Sequence, residues 1–112
     1  MNCSVQAGSL RTPLALEEPA RSDDAGGGFY ESWISLGIVW AKVQPANAID
    51  AKRAEHFAGQ VSHKITIRRD PQQVVQSGMR FVTALRLFRI LAVYDPDQKG
   101  ATLICLTKEV ER

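Results

Sequence analysis

The sequence predicts an all-β, mainly antiparallel fold, a small β-barrel or sandwich of about six strands with one short inserted helix or loop. Residues 61–69 show the clearest alternation in the sequence, with Val61, His63, Ile65 and Ile67 on one face and polar residues on the other, which is typical of a half-buried strand. Residues 29–43 are rich in β-branched and aromatic side chains. Turn residues recur roughly every 8–12 positions. The chain of 112 residues provides for one domain.

The first strand is predicted to begin at Leu10, with Leu14 and Leu16 on the same face. Pro13 has no N–H group for a ladder, so this strand should lie at a sheet edge. Residues 21–28 combine glycines with short acidic side chains and predict a mobile hairpin loop.

The segment 29–43 predicts a strand pair or one long bent strand, with Gly37 at a bend or bulge. Pro45 should end the sheet there. The inserted segment 46–60 predicts a short helix with Asn47 as a candidate N-cap. Its apolar stripe is thin, so it should be weakly anchored.

The second half predicts four further strands. They comprise 61–69, a short strand at 79–82, and a hairpin of 85–94 with 101–108. Residues 95–100 join the hairpin and have turn chemistry. Five aromatic residues fit core positions of these strands and of 29–43: Trp33, Trp40, Phe81, Phe88 and Tyr94.

One domain over residues 10–110, carrying the insertion 46–60, follows a flexible tail at 1–9. Composition is ordinary for a folded protein, with 45% apolar and 23% charged residues. No apolar run approaches the roughly 20 residues of a membrane span. The N-terminus has no export signal, which predicts a reducing cytoplasm and free thiols at Cys3 and Cys105.

Charge is divided between the two halves of the chain. Residues 1–50 carry a net charge of −3 and residues 51–112 a net charge of +5. With a pI of about 8.7, this division favours charged contacts between neighbouring protein subunits over general affinity for nucleic acid.

Six basic residues of the second half fall within 26 positions that hold a single acid, Asp70. They form either a solvated face or a surface for DNA phosphates or an acidic subunit. The candidate basic surface comprises Lys64, Arg68, Arg69, Arg80, Arg86 and Arg89. The candidate acidic subunit contact comprises Glu17, Glu18, Asp23 and Asp24.

No enzyme is predicted, since no phosphate-binding loop, nucleophile elbow or metalloprotease motif occurs. Asp95 and Asp97 imitate the start of a calcium loop, but Lys99 and Leu106 stand where ligands would be required. His56 and His63 have no metal-site spacing. No metal or cofactor is therefore expected.

Several segments, taken in order and spacing, resemble the head-tail joining proteins of tailed phages, also called head-closure, head-completion or stopper proteins. The resemblance covers about residues 7–110 and ends in a strand with Leu103, Leu106 and Glu109. The segments are Ala7-Gly-Ser-Leu-Arg11, Asp24-Ala-Gly-Gly27, Glu31-Ser-Trp33, Val39-Trp-Ala-Lys-Val43 with Pro45, Ser62-His-Lys-Ile-Thr-Ile-Arg68, Phe88-Arg-Ile90 and Asp95-Pro-Asp97.

The resemblance implies a small β-barrel that assembles as a ring, sixfold by analogy, in the neck of a phage, prophage or gene transfer particle. The implied partners are copies of itself, the portal-bound adaptor, a tail terminator or tail tube protein, and packaged double-stranded DNA, with no membrane. Assembly would take place in the host bacterial cytoplasm. The ring would retain DNA and receive the tail.

The weakly anchored insertion is the candidate for a segment that projects into the channel. Its candidate channel-facing residues are Asn47, Asp50, Lys52, Arg53, His56 and Gln60. Two other interpretations stay open: a free-standing oligonucleotide-binding barrel, and a neighbouring neck or tail ring such as the tail terminator.

Overall fold

The computed structural model describes residues 10–23, 29–53, 60–96 and 100–110. The described part contains six strands and one short helix in chain order. They are β1 (Thr12–Asp23), β2 (Phe29–Pro45), α1 (Ala48–Arg53), β3 (His63–Arg68), β4 (Arg80–Val82), β5 (Leu87–Tyr94) and β6 (Thr102–Val110).

The six strands form one closed barrel in the spatial order β1-β2-β3-β6-β5-β4. Every pairing is antiparallel, and β4 returns to β1 to close the circle. The predicted all-β class is thus confirmed, and the barrel is the alternative that the chain adopts.

Two prolines border the part of β1 that has two neighbours. β1 pairs with β2 along its whole length, but with β4 only at Ala15, Leu16 and Glu17. Pro13 and Pro19 lie just outside this three-residue ladder, where no second N–H partner is required. The edge strand predicted from Pro13 is wrong, because β1 pairs with both β2 and β4 in the closed barrel; Pro13 is accommodated because it lies outside the ladder with β4.

A bulge bends β2 where it leaves the barrel. The pairing register shifts between Leu16 and Glu17, opposite Gly37, whose φ of 118° favours glycine. β2 is therefore one long bent strand. Beyond this bend, Glu18–Asp23 and Ile34–Phe29 continue as a two-stranded extension, here called the β1–β2 ribbon.

The predicted loop at 21–28 begins too early. Arg21, Ser22 and Asp23 continue β1 and pair with β2, because the hydrogen-bonded ladder extends past the last apolar position of the strand. Residues 24–28 lie outside the described residues.

The barrel interior is apolar and holds the largest fully buried side chains, which include the cross-strand pair Phe81 and Phe88. Thr107 is buried too, and its hydroxyl donates to the carbonyl of His63 at 3.0 Å. The other fully buried side chains are Leu14, Leu16, Ile65, Ile67, Leu106 and Cys105.

The prediction of five core aromatics is correct for Phe81 and Phe88 and wrong for Trp40, which is 58% exposed. Ala41 is buried and Val39 packs on the core, so strand alternation directs Trp40 outward. Trp33 and Tyr94 are half-buried. A residue's strand propensity does not reveal which face of the strand it occupies.

The insertion 46–60 leaves and re-enters the barrel at one point, where the Ala46 N–H donates to the Ser62 carbonyl at 3.0 Å. The predicted helix is present as α1, which has little contact with the strands. Ile49 on this helix is 69% exposed. Residues 54–59, including the predicted helix end, lie outside the described residues.

Cys105 is a free thiol in the core, and burial raises its pKa to about 12. Cys3 and the predicted tail at 1–9 fall outside the described residues. Among the helices of the described ranges, none has the length and apolar character needed to span a membrane.

Candidate functional site

Arg80, one of the predicted basic residues, is already engaged within the chain. Arg80 Nε lies 2.7 Å from Glu17 Oε1, and its guanidinium stacks 4.0 Å above the Trp33 ring. Cross-strand pairing of β1 with β4 places Glu17 opposite Arg80. Glu17, which was predicted to contact a neighbouring subunit, therefore pairs with an arginine of its own chain.

Arg86 is also engaged, at one end of the barrel. Its Nε and a terminal nitrogen lie 2.7 and 3.2 Å from the two carboxylate oxygens of Glu109, a bidentate geometry. The same guanidinium lies 4.7 Å from the Phe88 ring centroid. These contacts join the start of β5 to the end of β6.

His63 completes this cluster beside the base of the insertion. Its Nε2 lies 3.2 Å from an Arg86 nitrogen, and its Nδ1 lies 3.0 Å from Ser62 Oγ. Arg86 can only donate, so Nε2 accepts and Nδ1 carries the proton. Ser62 Oγ also accepts from the Glu109 N–H at 2.7 Å. The result is a network that holds β3, β5 and β6 together.

The environment disfavours a charge on His63. Burial, with the Arg86 guanidinium as the second cause, lowers the pKa of His63 below 6.5, against an opposing effect of Glu109. The hydrogen bond from Arg86 lowers the pKa of Glu109, and the same bond raises the pKa of Arg86. Protonation of His63 would also remove the acceptor that faces Arg86.

We expect the protein to lose stability as pH falls below 6.5. Below this value the unfolded chain binds more protons than the folded one, so the contribution of His63 is complete above it and is lost on acidification. Urea unfolding midpoints at pH 7.5 and 5.5 measure the effect. A His63→Gln variant should show a smaller drop between these pH values, and an equal drop in both proteins would contradict the assignment.

Two further arginines line an open groove on the outer wall. The ladder between β2 and β3 ends at the Ala41–Ile67 pair, and the next residues along the two strands, Trp40 and Arg68, both line this groove. The groove has a volume of about 560 Å³, and its walls include Ile38, Trp40, Arg68 and Arg69. Neither arginine forms an ion pair within the described ranges, and both are exposed.

The six predicted basic residues do not form one continuous surface. Arg89 stands opposite Arg80 across β4 and β5 and is exposed. Lys64 is half-buried on β3. Arg68 and Arg69 lie at the groove, whereas Arg86 belongs to the cluster with His63. These residues are close in sequence but lie apart in the structure, because they occupy different strands.

The predicted channel-facing residues belong to the insertion, of which the structure describes 46–53 and 60. Asn47, Lys52 and Gln60 are exposed. Asp50 and Arg53 belong to α1, but their side chains and all of His56 lie outside the description. Among the predicted acidic residues, Glu18 is half-buried on the β1–β2 ribbon, Asp23 ends β1, and Asp24 lies outside the described residues.

The part of the chain that the structure describes contains no group of three or more potential ligands placed to bind a metal. In the calcium-like segment, Asp95 Oδ2 accepts the N–H of Gly100 at 2.7 Å, whereas Asp97 and Lys99 lie outside the described residues. Gly100 has a φ of 73°, which favours glycine at that position.

Sequence reasoning missed two features. Glu109 was not singled out as a partner of Arg86, since 23 positions separate them and only the register of β5 with β6 brings them together. The outward Trp40 was missed as well. Its signal was available, because Trp40 and Lys42 share one phase of the strand while Val39 and Val43 share the other.

Two solved structures are similar to this barrel. A chain in the virion of a native gene transfer agent particle superposes with a TM-score of 0.66 at 30% identity, covering 92% of this chain and 97% of that one. Protein SF1141 from Shigella flexneri 2a shares the fold, with a TM-score of 0.70, 19% identity, and coverage of 94% and 96% respectively.

A search of curated proteins gives no significant match. The family model for phage head completion protein matches residues 5–110, which includes every strand of the barrel. The solved virion chain and this match agree, and the chain belongs to the phage head completion protein family.

Proposed function

We propose that the protein forms a ring in the neck of a phage or gene transfer particle, between the portal-bound adaptor and the tail. In that position it retains packaged DNA and presents the surface on which the tail docks. Family membership over residues 5–110 is the observation that carries the proposal, since it makes the chain a head-tail structural protein. The role is mechanical and requires no catalytic group.

A ring of identical subunits needs two different contact surfaces on each copy, because a head-to-tail interface joins one patch to a dissimilar one. The chain offers such a pair. The β1–β2 ribbon comes from the acidic half of the sequence, and the groove with Arg68 and Arg69 comes partly from the basic half. Opposite charges on the two patches would favour one orientation of neighbours.

DNA retention is assigned to the insertion 46–60. It departs from the barrel at the Ala46–Ser62 hydrogen bond, and α1 has little contact with the strands. Ile49 and Lys52 are exposed, so the segment presents one apolar and one cationic side chain away from the barrel. A segment anchored at one point can project into a channel and move aside.

Particles produced without this protein test the function. We expect separate heads and tails in electron micrographs, with heads that lose their DNA after packaging. Complementation with the wild-type gene should restore joined particles. Normally joined particles in the absence of the protein would overturn the proposal.

A second candidate function is binding of single-stranded nucleic acid, which exposed Trp40 beside Arg68 would permit through base stacking. Titration of the purified protein with oligonucleotide at low and moderate salt distinguishes the two. Tight and steeply salt-dependent binding that is lost in Trp40→Ala would favour this candidate, whereas the neck protein should bind weakly.

A further inference from the structure

We infer that the β1–β2 ribbon of one subunit docks in the Trp40 groove of a second copy of this chain. The Trp40 groove is defined by Ile38, Trp40, Arg68 and Arg69. The inference rests on the proposed ring and adds to it the two surfaces that would join neighbouring subunits.

The ribbon lacks the support that its strands need. The pairing of β1 with β4 ends at Glu17. In the described part of the chain, Glu18–Asp23 therefore pairs with β2 alone. An isolated two-stranded ribbon is marginally stable in water unless a third element covers one face. A neighbouring subunit would supply the missing support.

One face of the ribbon combines negative charge with exposed apolar surface. Glu18 and Ile34 are cross-strand partners, so their side chains share that face. Ile34 is 48% exposed. Within the ribbon, the sequence holds three acidic residues, Glu18, Asp23 and Glu31, and one basic residue, Arg21.

The Trp40 groove has the complementary composition. Ile38 is 62% exposed beside Trp40, and Arg68 and Arg69 have no ion pair within the described ranges. Asp70 also lines the groove, but its carboxylate accepts the N–H of Gln72 at 2.9 Å. Tryptophan and arginine are the residues that most often dominate binding energy at protein interfaces.

The two surfaces are dissimilar, and this determines the kind of assembly. Contact between ribbon and groove is head-to-tail, so each copy receives one neighbour and docks on another, which generates a ring when the rotation closes. A symmetric dimer would instead bring one surface against itself. The charges oppose that arrangement, since ribbon would meet ribbon.

Cysteine cross-linking in assembled particles tests the contact. A Cys3→Ser background leaves Cys105, which is buried, and receives Ile34→Cys on the ribbon and Ile38→Cys in the groove. Four residues along a strand span about 13 Å, so these two cysteines cannot bridge within one chain. Oxidation should produce a ladder of covalent multimers on a non-reducing gel, whereas each single-cysteine variant should give none.

Charge reversal provides a second measurement on the same particles. Arg68→Glu with Arg69→Glu should lower multimer formation about tenfold, and adding Glu18→Arg should restore part of it. Lys108→Glu is the matched control, because Lys108 is an exposed cation on β6 away from the groove, and it should have no effect.

The outcomes separate the inference from the function on which it rests. Joined particles that contain the cysteine variants but give no multimers would overturn the inference and leave the neck function intact. The same holds if the variant with both Arg68→Glu and Arg69→Glu assembles as the wild type does. Cross-linking of the ribbon cysteine to a different virion protein would overturn it as well. Absence of the protein from particles would overturn both.

Discussion

Replacing Phe88 by alanine is expected to lower the free energy of unfolding by about 3–5 kcal/mol. Phe88 is buried on the inner face of β5, opposite Phe81 on β4. Its ring also contacts His63 edge-on at 5.3 Å and lies beneath Arg86 at 4.7 Å. Truncation therefore leaves a cavity, and it also removes the ring against which His63 and Arg86 pack.

A loss of this size is a large share of the roughly 5–15 kcal/mol that stabilises a typical domain. The melting temperature should fall by about 15 °C or more, measured by calorimetry on the purified protein. Leu85→Ala is the matched control, because Leu85 is 88% exposed and its truncation should cost less than about 0.5 kcal/mol. A Phe88→Ala protein as stable as this control would contradict a core centred on the two phenylalanines.

The barrel was predictable from the sequence because alternating apolar residues mark its strands, although Thr66 between Ile65 and Ile67 is buried as well, at 3% exposed. Ile65 and Ile67 occupy alternate positions and are both fully buried, as the pattern of 61–69 indicates. Gly37 and Pro13 were identified from backbone chemistry, and both lie where that chemistry is required. Local rules were sufficient wherever a residue's role depended on its immediate neighbours.

The arrangement of charged residues was not predictable in the same way. Arg80 and Arg86 look like members of one basic set in the sequence, but each meets a carboxylate brought by a distant strand. Glu17 is separated from Arg80 by 63 positions. Strand register decides such pairs, and a single sequence does not specify register between distant strands.

Exposed apolar side chains indicate contact surfaces that cannot be recognised from the composition alone. Trp40 fits a core on propensity, yet the structure places it outside with Ile38. Isolated exposed apolar residues are common, but a tryptophan and an isoleucine beside two arginines that form no ion pair with the described residues make a patch typical of an interface. Trp40, which was wrongly predicted to lie in the core, thus lines the groove on which the inferred subunit contact depends.

Replacing residues 46–60 with Asn-Gly is expected to give particles whose heads package DNA and then lose it. The barrel should remain folded, since α1 has little contact with the strands and β2 and β3 already pair up to Pro45 and His63. Shortening the connection should stabilise the fold by about 1 kcal/mol, because closing a shorter loop costs less entropy. Leakage would then reflect the missing segment and not an unfolded protein.

A second variant separates the chemistry of the segment from its length. A Gly/Ser linker of equal length keeps the connection but removes α1 together with Ile49, Lys52 and Arg53. We expect it to leak as the deletion does, since a flexible polar chain neither obstructs the channel nor presents cations to DNA phosphates. Nuclease-protected DNA per head is the measurement, with melting temperature as the check on folding.

Tail joining should respond differently from DNA retention in these variants. The β1–β2 ribbon and the Trp40 groove are unchanged in both, so the ring should still assemble, and tails added early enough should still attach. Filled and stable heads with either replacement would show that the insertion does not close the channel. Unfilled heads with normal rings would place the barrier in residues 46–60, because nothing else in the subunit would have changed.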